Sequence, residues 1–421
     1  MKRKYEWGVG QTPPDLDRHS IAKHNVLRDY LQLYVQVLTA NPRRDRLNLT
    51  LVDGFCGGGL YLGPGGELRQ GSPLIMLESM AAAKTLARAS RKKEFHLDAE
   101  YFFIDENKGA CEHLRHVIDR SDYADAGVHI LHGTFGNHLP RIIERIQQRG
   151  TAHRCIFVLD QYGYKETPLP LLRGIFATLP RAEVILTFAT DFLIDYLGAN
   201  PLSQGILDRL GFSLSVEEVQ RAKQQEPANW RAAVQHLLHS ELFTGSGADH
   251  YTPFFIRCPE AHRSYWLVHL SNHHRARDVM TSLHWAHGNA FGHYGGSGLG
   301  MLGYDWTRDP EQTGQRLLGE EFRFDRAARE STYNSLLIDV PRRLPQGVAA
   351  SLAVDDFFSR TANETPATKA ILCDAMSQLS REGEIEIYTK AGKRRSAGVK
   401  LAPTDRVCVP NQRRLFIPEA N

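Results

Sequence analysis

Cysteine is scarce in this chain: six in 421 residues, scattered, with no C-x-x-C pair. That excludes a disulfide framework and a thiolate zinc knuckle, and it suits free thiols in a reducing cytoplasm. No apolar run approaches the roughly eighteen residues a membrane helix needs, and no secretory leader is recognisable, so a cytoplasmic protein without a membrane partner is expected. Nowhere does Gly-Lys precede Ser or Thr at the end of a glycine loop, which argues against a phosphate-cradling nucleotide hydrolase. Charge of one sign is also missing. Lys and Arg number 51 against 48 Asp and Glu, a net of +3, so any surface for nucleic acid has to be local. What the chain does have is a hydrophobic content of 42% over a length that allows two domains.

Residues 51–61 read LVDGFCGGGLY. Apolar Leu47, Leu49, Leu51 and Val52 make a buried strand with Asp53 at its carboxyl end, and three glycines then turn the chain toward a helix whose free N–H groups point back at the loop. Such a turn admits a ligand close to the backbone, although a tight strand-to-helix connection needs glycine for geometry alone. A second strand, 101–104, ends at Asp105-Glu106. In a nucleotide-type α/β fold the acid at this tip accepts hydrogen bonds from ribose hydroxyls; the competing reading is a helix-capping Asp without a ligand. Further strands at 128–131, 155–159 and 183–188 alternate with helical stretches and are nearly continuous apolar runs. This pattern predicts a parallel sheet covered on both faces, with ligands at the strands' carboxyl ends.

The run KHNVLRDYLQLY, then VDGFCGGGLY, GSPLIMLES, FFIDEN and VLDQYGY, resembles the three-Cys-motif partner protein (TcmP) family. LVDGFCGGG is similar to the D-x-F-x-G-x-G signature of class I S-adenosylmethionine-dependent methyltransferases. The resemblance covers most of the chain and is strongest over about residues 20–200. It implies a methyltransferase domain with a C-terminal winged helix, S-adenosylmethionine as cofactor, and a neighbouring radical-S-adenosylmethionine protein as partner. By position it implies that Asp53, Phe55, Gly57 and Gly59 surround the methionine moiety, that Asp105 holds the ribose, and that Thr134 or Phe135 lies beside the adenine. Many methyltransferases carry an acid where this chain has Thr134; a hydroxyl or backbone group can supply the same hydrogen bond.

At the fourth strand's tip, Asp160-Gln161-Tyr162-Gly163-Tyr164 stands where enzymes that methylate exocyclic amines place a polar-Pro-Pro-aromatic motif. Asp160 and Tyr162 are the candidate catalytic pair, one to polarise an amine and one to stack on an extruded base. Asp160 is equally readable as an acid that steadies the loop or the cofactor's methionine end. Upstream, residues 23–38 form an amphipathic helix with Ser20 as N-cap, and Lys23 and His24 at its start either border the cleft or are solvated.

The histidines between about 240 and 300 do not read as a metal site, because no Cys lies at ligand spacing and His269-x₃-His273 falls on a strand entering a turn. Residues 254–257 and 265–270 read as a hairpin closing the sheet, followed by a helix at 276–287. Toward the end, helices at 352–360 and from Thr365-Pro366 to about Arg381, then strands at 384–388 and 399–401, outline a winged helix. From Arg381 onward nine Lys or Arg face five acids. Lys390, Lys393, Arg394 and Arg395 at the wing tip are candidate phosphate contacts, the alternative being a protein-docking module with a solvated charge run.

The expected organisation is an N-terminal helical segment over 1–45, a methyltransferase-like Rossmann-type α/β domain over 46–290, a linker region over 291–348 and a winged helix over 349–421. Two functions fit: methyl transfer, probed by cofactor binding and product, or a methyltransferase fold that has lost turnover and recruits a partner to nucleic acid.

Overall fold

The structure is a computed structural model, and it describes residues 5–161, 165–198, 201–225, 230–258, 263–287, 292–293, 299 and 322–411. The chain divides into two compact units, Met1–Gly292 and His293–Asn421.

The first unit is built on a seven-stranded sheet. Its strands are β1 (Arg46–Asp53), β2 (His96–Asp105), β3 (Val128–His132), β4 (Arg154–Leu159), β5 (Ala182–Phe188), β6 (His250–Cys258) and β7 (Arg263–Ser271). Their spatial order is β3-β2-β1-β4-β5-β7-β6. The first five run parallel, and β7 inserts antiparallel between β5 and β6. This is the class I methyltransferase arrangement. Every residue of β5 is buried, because helices cover both faces of a parallel sheet. Strand order reverses between β1 and β4, so the loops that leave their carboxyl ends diverge and open a crevice.

The helices before and between these strands are α1 (Arg18–Thr39), α2 (Ser72–Ala89), α3 (Lys108–Ile118), α4 (Phe135–Gln148) and α5 (Leu169–Thr178). The segment preceding the sheet is no separate piece, since α1 packs against α2 with Tyr30, Leu31 and Val35 fully buried. Ser20 is not its cap. The helix begins at Arg18 with Asp17 in the N-cap position, three residues ahead of Ser20. Four helices between β5 and β6 (Thr190–Tyr196, Pro201–Leu210, Val216–Gln225 and Trp230–Ser246) extend the core with Leu193, Leu207, Val234 and Leu238.

In the second unit a helix at Arg326–Arg343 occupies ground expected to be linker. Its inward side is only Thr332, Leu336 and Val340, one residue per turn, and Pro341 lies inside it, so its periodicity is faint. Helices Val354–Thr361 and Lys369–Glu382 follow, the second capped by Thr368 rather than by Thr365, its hydroxyl accepting from the Ile371 amide. Three short antiparallel strands in the order Leu352–Ala353, Arg406–Cys408, Glu386–Tyr388 complete a winged helix. The strand expected at 399–401 is absent; that stretch is wing loop, and the returning strand begins at Arg406. Among the described residues, no helix is long and apolar enough to cross a membrane.

Candidate cofactor cleft and nucleic-acid interface

The carboxyl ends of β1, β2 and β4 bring three acids to one rim. Asp53 is fully buried at the end of β1, and its Oδ1 accepts the Phe55 amide at 3.1 Å. Its Oδ2 is buried with no hydrogen-bond partner. Burial pushes this carboxyl up to about 7, against the opposing pull of the Ser72 side chain and the Phe55 amide. A buried carboxylate oxygen left in this state asks for a donor or a cation.

Gly57 and Gly59 take φ values of +60° and +82°, which an L side chain would resist. The turn is fastened to the neighbouring strand by Asp105, whose two oxygens accept the Gly57 amide at 3.0 Å and the Asn107 amide at 2.7 Å. Asn107 then caps α3. Asp105 therefore sits at the strand tip, ahead of the cap.

Thr134 is the N-cap of α4, its hydroxyl accepting the Asn137 amide at 3.2 Å. Phe135 is only 2% exposed and packs in the core between Phe55 and Phe157, with ring centroids 6.4 and 6.3 Å away. Phe55 is partly buried against the same cluster. Asp53, Phe55, Gly57, Gly59 and Asp105 thus gather at one edge, where Thr134 and Phe135 enter as a cap and a core ring.

Asp160, at the end of β4, receives Lys23 Nζ on both carboxylate oxygens at 2.6 Å. Lys23 is 10% exposed and Asp160 30%. Burial alone would raise the Asp160 carboxyl, but the Lys23 ammonium and its hydrogen bonds outweigh that and hold it below its ordinary value. Beside them, burial and then Lys23 push His24 down to about 4, so the imidazole is neutral at physiological pH. Gln161 is buried and pins the loop, its Oε1 accepting the amides of Glu166 and Thr167 at 2.9 and 3.2 Å. Tyr162 lies outside the described residues.

Lys23 is the site residue that sequence reasoning underrates. Nothing local joins positions 23 and 160; only the passage of α1 across the rim does. The described residues also contain no group of three or more His, Cys, Asp or Glu arranged to hold a metal ion.

In the winged helix the four wing cations divide into two kinds. Arg394 pairs with Glu386 at 2.9 Å, and Arg395 with the buried Asp405 at 2.9 Å. Lys390 and Lys393 are exposed at the turn, which closes through the Thr389 amide to the Lys393 carbonyl at 2.8 Å. The helix before the wing adds little charge, since Lys369 pairs with Asp355 and Arg381 bonds Gln378.

Residues 303–392 match the family model of the GMT-like wHTH domain. No curated protein matches the chain. Among solved structures, a Legionella pneumophila protein shares 8% identity over 59% of this chain and 84% of its own, with a TM-score of 0.35. A putative S-adenosylmethionine-dependent methyltransferase from Methanococcus maripaludis shares 9% over 62% and 97%, TM-score 0.26. A cyclopropane synthase from Mycobacterium tuberculosis shares 10% over 73% and 79%, TM-score 0.22. The strand order, not these distant likenesses, assigns the fold.

Proposed function

We propose that the first unit is an S-adenosylmethionine-dependent methyltransferase and that the winged helix brings it to nucleic acid. The observation that carries this reading is the Asp53–Gly57–Asp105 constellation at the switch point of a 3-2-1-4-5-7-6 sheet. It pairs a partnerless buried carboxylate oxygen with a turn whose glycines carry no side chains of their own. Asp53 would hold the ammonium of the cofactor's methionine end, the glycine turn would lie along it, and Asp105 would take the ribose. Once bound, this group supplies an electrophilic methyl on a sulfonium. Asp160, kept ionised by Lys23, is suited to accept a hydrogen bond from an acceptor amine, and Tyr162 to stack on its ring. Lys390 and Lys393 would meet backbone phosphates and so position the protein without selecting a sequence. By the resemblance to three-Cys-motif partner proteins, a radical-S-adenosylmethionine protein would work beside it.

The second reading, a fold that has lost turnover and serves recruitment, is favoured by Gln161, whose side chain is spent on the loop in place of a proline-rich motif. Calorimetric titration of S-adenosylmethionine and S-adenosylhomocysteine, with and without short duplex DNA and RNA, tests the first. Micromolar binding, about 7 to 8 kcal/mol, is expected, and it should vanish in Asp105→Ala while the fold survives. Wild-type binding in that variant would remove the ribose role. Product formation that persists in Asp160→Asn would remove Asp160 from the chemistry, and cofactor binding with no methyl transfer to either nucleic acid would support recruitment.

A further inference from the structure

The glycine turn faces the rim, yet Gly57, Gly58 and Gly59 are all buried. Part of what buries it comes from the start of the chain. A Cβ on Gly57 would lie 2.9 Å from the Tyr61 hydroxyl and 3.0 Å from the Trp7 ring, and a Cβ on Gly58 would lie 2.3 Å from that ring. Gly58 has no positive φ, so its backbone makes no demand for glycine. The indole does. Trp7 also presses its carbonyl on Gly109 in the first turn of α3, where a Cβ would come within 2.7 Å. Trp7 therefore lies on the glycine turn with its indole and on the helix that follows Asp105 with its carbonyl, the two backbone pieces that frame the proposed cofactor site.

The segment carrying Trp7 is tied down at its ends. Trp7 Nε1 donates to the Leu60 carbonyl at 2.9 Å. Farther along, the Leu62 amide donates to the Pro14 carbonyl at 2.9 Å and the Leu16 amide to the Leu62 carbonyl at 2.7 Å. Tyr5, Trp7 and Tyr61 pack as an aromatic trio with centroids 5.5 to 5.8 Å apart, and the Tyr5 hydroxyl donates to Asp17. Between the anchors the chain turns through exposed Val9, Gly10 and Gln11. A strap fixed at two points by few bonds, with a solvated bend between them, can lift without disturbing the sheet.

We propose that residues 5–17 are a built-in cover of the cofactor site, and that Trp7 is the residue that closes it, so that ligand leaves only as the strap lifts. This rests on the reading of the first unit as an S-adenosylmethionine site. The turn's three glycines then have separate causes: Gly57 and Gly59 serve backbone conformation, and Gly58 serves the indole.

The test is stopped-flow release of S-adenosylhomocysteine from the full chain, alongside calorimetric affinity and the urea midpoint. Trp7→Ala should release it at least tenfold faster than wild type, and Trp7→Phe should fall between. Gly58→Ala should act in the same direction with the strap's own sequence intact, because its Cβ displaces the indole. Wild-type release rates in both Trp7→Ala and Gly58→Ala overturn the cover, including where the urea midpoint has dropped, since a purely structural tryptophan would change stability alone. Tighter binding in Trp7→Ala with unchanged release also overturns it, in favour of a segment that competes with the ligand. If wild type and Trp7→Ala both fail to bind, the cofactor reading itself has failed and the cover falls with it, a result distinct from binding with an unaltered release rate.

Discussion

Asp53 is where burial and chemistry meet most directly. Its value near 7 comes first from desolvation, so the unliganded carboxyl is mostly protonated at pH 6 and mostly ionised at pH 8. If it holds an ammonium, the ionised form is the one that binds. Affinity for S-adenosylhomocysteine should then rise about tenfold from pH 6 to pH 8, read by calorimetry; a flat or falling profile would detach Asp53 from the amine. The sign for folding is opposite. A carboxyl raised above its unfolded value contributes stability that is full below about pH 4 and lost as pH climbs through 7. Asp53→Asn should therefore gain on wild type in urea midpoint between pH 5 and pH 8. Asp53 and Asp105 were legible in sequence because each ends an apolar strand. Trp7 was not, and Lys23 was readable only as a residue either bordering the cleft or solvated, since what they touch lies far along the chain.

At the scale of the element, α1 serves both ends of the sheet. Its first turns present Lys23 and His24 to the rim, while Tyr30, farther along, bonds Glu183 near the amino end of β5 and His269 on the neighbouring β7. Amphipathic spacing reveals that such a helix packs, but its direction across the sheet is set by the partner surface. The wing shows the same limit. Four neighbouring cations looked alike in sequence, yet two answer acids within the wing. Replacing Lys390 and Lys393 by Ala should weaken nucleic-acid binding evenly across sequences and reduce the salt slope by about two, measured by fluorescence anisotropy over a salt series. Arg395→Ala should instead cost about 2 kcal/mol in stability by leaving Asp405 buried without its cation. Loss of binding without loss of stability in Arg395→Ala would reverse that division.

For the whole molecule, each unit has its own core: β-strand and helix apolar residues from Val52 to Leu270 in the first, and Leu336, Phe357, Phe358, Leu372 and Val407 in the second. A fragment spanning 1–292 is expected to bind S-adenosylhomocysteine with the affinity of the full chain, and a tenfold loss would show that the site needs the second unit. Sequence by itself determined the alternation of strand and helix, the acid-tipped first two strands, the glycine turn and the presence of a winged helix, because these depend on local periodicity and on backbone demands that neighbouring residues satisfy. Tertiary structure alone decided that Lys23 clamps Asp160, that Thr134 caps while Phe135 is core, that Arg394 and Arg395 are internally paired, and that an indole from the chain's start lies on Gly58. The Thr134 cap is local, but the other contacts join residues eight or more apart in sequence, and which such residues meet is set by how buried faces pack against one another.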